Sequence, residues 1–228
     1  MSYNNIKTEI NLRFAEVGKL LAFIDREETL LVAPAILPME IKVIKGLFYV
    51  HLYSAVEFSV NKLVQNTLIL IKQMNIRNND YILRFNTISS NNHLRSFKDC
   101  GYSQFHNKSN KLFLEAESAS VSAINETVFS SMLQNIWVKT IHEIIDVFGM
   151  TPFVVSTKNS IIIDEVVDNR NKVAHGRETA EVVGSMPNYT DLKQKFDAIY
   201  EVIALLIIHF ESYFTAKEFL KVTSRAAY

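Results

Sequence analysis

The stretch from Asp168 to Glu178 reads DNRNKVAHGRE and gathers Arg170, Asn171, Lys172, His175 and Arg177 within eight residues. An arginine guanidinium offers phosphate oxygens a planar fork of donors and stays charged. A histidine gains and loses a proton near neutral pH. Together they suit cleavage of a phosphodiester that carries its own nucleophile, the 2′-hydroxyl of RNA. That reaction asks for a base, an acid and positive charge on the transition state, and needs no metal.

Spacing alone also fits a plainer reading. Polar residues often close a helix, and cations at its C-terminus interact favourably with the helix dipole by ~0.3–1 kcal/mol. On a helix Asn171 and His175 are four apart, about 400° of rotation, and share a face, with Arg170 lying obliquely to them. Gly176 lets the chain turn at once, so the imidazole sits at an end rather than inside a rod.

Long helices must carry these residues. Apolar positions at Ile6, Ile10, Phe14, Val17, Leu20, Leu21 and Ile24 predict an amphipathic helix over residues 6–28. The segment LLVAPAILP, with Pro34 and Pro38, breaks it, and Pro38 suits the first turn of the next helix. That helix runs from Met39 to about Met74, with Gly46 its one weak point, and is long enough to be the spine of the domain. Residues 75–130 read as an irregular insertion, with Asn/Ser-rich loops and a short helix or strand within FLEAESASVSAINETVF. Between Arg84 and Lys111 this insertion holds five Lys or Arg against one Asp, with His93 and His106. Helical periodicity resumes from Met132 to Phe148 with Gly149 as cap, and returns from Lys158 to His175. GRETAEVVGSMPN reads as a loop, and Thr190 as the N-cap of a last helix reaching about Leu220. The chain is expected to be all-α, one domain over residues 1–228, its residues 1–38 an N-terminal helix and proline-containing loop.

Composition narrows the classes. Nearly half of the 228 residues are hydrophobic and the formal net charge is zero, so any RNA contact must come from a local patch. Cys100 is the only cysteine, which excludes an internal disulfide and fits a reducing cytoplasm. No Cys/His cluster has zinc-ligand spacing, and neither metal nor cofactor is expected. The N-terminus lacks a signal-peptide layout, and the apolar run IALLIIHF between Glu201 and Glu211 is far below the ~20 residues that span a bilayer, so no membrane partner is expected. His142 and Glu143 read as surface residues, and His209 as a satisfied core or interface histidine.

RNKVAHG is similar to the Arg-x4-His signature of the HEPN superfamily, in which a polar residue such as Asn171 commonly follows the arginine. FYVHLYSAVEFSVNKLV, from Phe48 to Val64, resembles the earlier core helix of that superfamily, with Tyr53 and Glu57 four apart. NIWVKTIHEIIDVFGM and YTDLKQKFDAIYEVI resemble its bacterial MAE-type branch. The resemblance implies a HEPN-like helical bundle that dimerises along its motif-bearing helices, so that two Arg/His pairs line one cleft. It implies a ribonuclease, as the toxin of a toxin–antitoxin pair or an anti-phage effector, with an antitoxin protein or a nucleotidyltransferase as further partner. By position Arg170 would hold the phosphate, His175 would act as base or acid, and Asn171 would orient the backbone or the histidine. Lys172 and Arg177 would contact the RNA backbone. Glu57 would orient Arg170 across the bundle or simply be solvated, and Tyr53 would join that network or pack. Non-catalytic members imply the alternative of a nucleotide- or protein-binding module, with a purely structural helical dimer last.

Overall fold

The 3.6-residue apolar pattern is realised in a computed structural model that describes residues 2–30 and 37–228. Helix α1 (Tyr3–Thr29) buries Ile6, Ile10, Phe14, Val17, Leu21 and Ile24, a single stripe. Helix α2 (Met39–Gln73) is different: it is apolar on several sides, burying Phe48, Tyr49, Leu52, Tyr53, Val56, Val60, Leu63, Val64, Leu68 and Ile71. It packs against α1, α7 (Thr157–Ala174), α8 (Ala180–Ser185) and α9 (Tyr189–Thr215), which makes it the spine. The expected break at Pro34 lies outside the described residues.

The middle region is built of short helices rather than loop. It holds α3 (Asn86–Ser89), α4 (Asn91–Lys98) and α5 (Phe105–Ala116). Its flanks belong to the main core through Tyr81, Phe85, Ile88, Ile124 and Phe129. The segment read as a short helix or strand is helical only at its start, where its first residues close α5; beyond them Val121 makes an isolated bridge to Arg77 without forming a strand.

Three other expectations are corrected. The helix expected from Met132 is interrupted: a 3-10 turn at Met132–Gln134 is followed by extended backbone, and α6 (Val138–Phe148) begins only after Trp137. The last helix is capped by Asn188, not Thr190, because the Asn188 side chain accepts from Asp191 N–H while the Asp191 carboxylate accepts from Asn188 N–H. It ends at Thr215, where Lys217 adopts φ +50 and the chain folds back to bury Phe219 and Leu220. By length and composition α9 could cross a membrane; in this fold it buries Leu192, Ile199, Val202, Ile203, Leu206, Ile207 and Phe210 against the other helices.

The segment read as a loop after Gly176 contains α8, a single short helix started by Thr179, whose hydroxyl accepts from Val182 N–H. It is held by proximity of backbones. A Cβ on Gly46 would fall on the carbonyl of Ala180, and one on Gly184 on the carbonyl of Lys42. Gly46 is therefore less a weak point of α2 than the place where α8 docks. Beside it the buried Lys45 pairs with the half-buried Glu28 at 2.7 Å, and the other oxygen of Glu28 accepts from Tyr189 N–H at the start of α9.

Gly46→Ala and Gly184→Ala should each destabilise the fold by about 1–3 kcal/mol, since backbone must move to admit the methyl group. Urea unfolding midpoints check this, and unchanged midpoints would contradict the close approach. Burial raises the phenols of Tyr3, Tyr49, Tyr81 and Tyr213 above their ordinary value. Their contribution to stability is complete below the unfolded value of about 10 and falls as pH climbs past it toward the folded values. Ionisation of these four buried phenols, read as tyrosinate absorbance at alkaline pH, should therefore coincide with loss of helical circular dichroism.

Candidate active site at the end of α7

Helix α7 starts with Ser156, whose hydroxyl accepts from Asn159 N–H, and buries Ile162, Ile163, Val166 and Val167. This face fixes the rotation of the helix and hence where Arg170 points. The guanidinium lies 4.2 Å over the Tyr53 ring, a cation–π contact. Its Nη1 donates to Asn171 Oδ1 at 2.7 Å and to Asn135 Oδ1 at 3.3 Å, and its Nη2 to Glu57 Oε2 at 3.5 Å. These bonds occupy three of the five donors an arginine has, leaving Nε–H and one Nη2 hydrogen free of protein acceptors among the described residues. Its side chain keeps 17% exposure, enough to meet a ligand from solvent.

Tyr53 forms the floor of this group. Its hydroxyl accepts Ile136 N–H at 2.8 Å and donates to the Gln134 carbonyl at 3.4 Å. Burial pushes the phenol above its ordinary value; the Glu57 carboxylate adds to the rise, while the bond from Ile136 and the charge of Arg170 oppose it. The ring therefore stays neutral. Its two bonds hold the extended residues before α6, and these residues supply Asn135. No feature of spacing pointed to Asn135, because its place depends on a tyrosine some eighty residues earlier in the chain.

The helix closes as its glycine foretold. Gly176 has φ +65, its N–H bonds the Val173 carbonyl, and Arg177 N–H reaches the Lys172 carbonyl. The imidazole of His175 is left exposed at this end, with no hydrogen bond to another side chain among the described residues. Arg170 and His175 are about 7–8 Å apart along the axis and about 140° apart around it. One chain thus brings together Arg170, Asn171, Glu57 and Tyr53 but leaves His175 outside the group. Asn171 bonds Arg170, not His175, so it orients the arginine. Lys172 lies between Asp168 and Glu178 at 3.5 Å from each, and its charge is offset locally, whereas Arg177 is exposed and makes no ion pair among the described residues. Among the described residues no three His, Cys, Asp or Glu side chains converge as a metal site.

The family description RiboL-PSP-HEPN matches residues 8–212, and the chain belongs to this family of HEPN domains, whose members are often ribonucleases. No curated protein matches the chain, and no solved structure does.

Tyr53→Phe should cost about 1–3 kcal/mol, because it leaves the buried Ile136 N–H without an acceptor. Urea unfolding measures the loss, and faster hydrogen exchange at the Ile136 amide would place it; an unaltered amide would refute the bond.

Proposed function

We propose that this protein is an endoribonuclease that cuts RNA without a metal. The observation that supports it is Arg170, a half-buried cation held on three sides yet keeping two donors, on the same helix that ends in the exposed His175. A guanidinium with spare donors binds a phosphate better when its rotamer is already fixed. In the reaction a base removes the 2′-hydroxyl proton, the 2′-oxygen attacks phosphorus, and the P–O5′ bond breaks. An acid returns a proton to O5′, which leaves a 2′,3′-cyclic phosphate and a 5′-hydroxyl. His175 serves as base or acid, and Arg170 stabilises the charge that gathers on phosphorus. Asn171, Glu57 and Tyr53 position Arg170, and Arg177 contacts the flanking backbone.

The motif offers one His per chain, and helical rotation puts it on another side of α7 from Arg170. A second copy supplies the other proton carrier, so the working form is a homodimer with two α7 ends facing each other. Such an enzyme works in the cytoplasm as a toxin or an anti-phage effector, restrained by an antitoxin protein or a nucleotidyltransferase that modifies it. A binding role without cleavage is the second reading, and one observation favours it: Glu57 already neutralises part of the charge of Arg170.

Purified protein should cut RNA in EDTA and leave cyclic phosphate ends. Arg170→Ala and His175→Ala should each lower the rate by at least a hundredfold with little change in folding. Glu57→Gln, which keeps the packing but frees the guanidinium, should lower the rate about tenfold and raise KM for RNA. Cutting by both alanine variants at the parent rate would move the site elsewhere, and binding without cutting by the parent would establish the second reading.

A further inference from the structure

From Asn91 to Ala116 no residue is buried, so α4 and α5 form an arm that packs chiefly on itself. Phe97 and Phe105 meet across it with ring centroids 4.9 Å apart. The arm is tied to the body near Asn78, whose side chain donates to Glu115 Oε1 at 2.7 Å. A surface that serves only solubility would be polar, but this one presents Tyr102 at 90% exposure and Phe113 at 68%. Its charge leans positive by two. Arg95, Lys98, Lys108 and Lys111 stand against Asp99 and Glu115, while the remainder of this formally neutral chain has an acidic excess. None of those four cations makes an ion pair among the described residues, and Glu115 is engaged by Asn78.

We infer that the arm is a second nucleic-acid contact, which captures single-stranded RNA and feeds it to the α7 site. Unpaired cations recruit the phosphate backbone at the expense of its counterions. Exposed aromatic rings stack on bases whose faces are free, which selects single strands over a duplex. A protein partner would also meet exposed rings, but four cations without ion pairs among the described residues fit a polyanion better. The arm adjoins the residues just after α2, and Tyr53 lies twenty residues before the end of that helix, about 30 Å along its axis. A substrate that touches both places must therefore be several nucleotides long. This inference rests on the ribonuclease reading for its second half and stands without it for the first.

The test uses the full chain carrying His175→Ala, so that bound RNA is not consumed, with a fluorescent twenty-nucleotide single-stranded RNA as probe. Adding Tyr102→Ala and Phe113→Ala should weaken Kd about tenfold. Changing Arg95, Lys98, Lys108 and Lys111 to Gln should weaken it further and flatten the dependence of binding on salt. None of these side chains is buried, so circular dichroism should be unchanged. A blunt duplex of the same length should bind more weakly than the single strand. In the otherwise native enzyme the same arm changes should lower kcat/KM for the long RNA and leave cleavage of a trinucleotide at the parent rate. The inference is overturned if the arm variants bind the single strand as tightly as the parent, if no RNA binds, or if the duplex is preferred. An enzyme that binds through the arm but never cuts would instead refute the ribonuclease reading alone.

Discussion

A guanidinium pressed on a phenol ring joins three separate pieces of the chain. Tyr53 and Glu57 come from α2, Asn135 from the extended residues before α6, and Arg170 with Asn171 from α7. The contact requires α7 to lie against α2 in one rotation, which the burial of Val166 and Val167 provides. It also requires α6 to start late, so that Asn135 can face the arginine. The Tyr53 hydroxyl enforces this by bonding on both sides of Asn135, at Gln134 and Ile136. Remove the phenol oxygen and the extended segment has less reason to stay extended.

Much of the scaffold was legible because it obeys one period. The apolar stripes of α1, α7 and α9 and the dense apolar content of α2 need only their own residues, and the glycine caps at 149 and 176 announce where two helices stop. What escaped reading was decided by distant partners. The six residues of α8 contain a glycine and look like loop; they are helical because their backbone fits against Gly46. The interruption at Asn135 is invisible in the helical spacing of Met132, Ile136 and Ile141, for it answers to Tyr53. Asn188 and Thr190 can both cap by residue type, and the reciprocal bond from Asp191 decides for Asn188.

The site divides the same way. Arg170, Asn171 and His175 stood out by type and spacing, and Glu57 and Tyr53 by resemblance. Their relations did not: Asn171 serves the arginine, Lys172 is engaged by two carboxylates, and His175 stands apart from both. On the helix Arg170 and His175 lie on different sides, and the bonds of the arginine run to Asn135, Asn171 and Glu57.

The docking of α8 on α2 has a consequence for synthesis. Gly46 leaves the ribosome well over a hundred residues before Gly184, its packing partner, and α9, which covers another flank of α2, follows later still. Throughout that interval the nascent spine has apolar flanks open to water or to chaperones. Arg170 emerges only shortly before both, so the clamp around it cannot form until α7 has been made, and a ribosome-bound fragment that ends before α8 would hold the motif on a spine still uncovered.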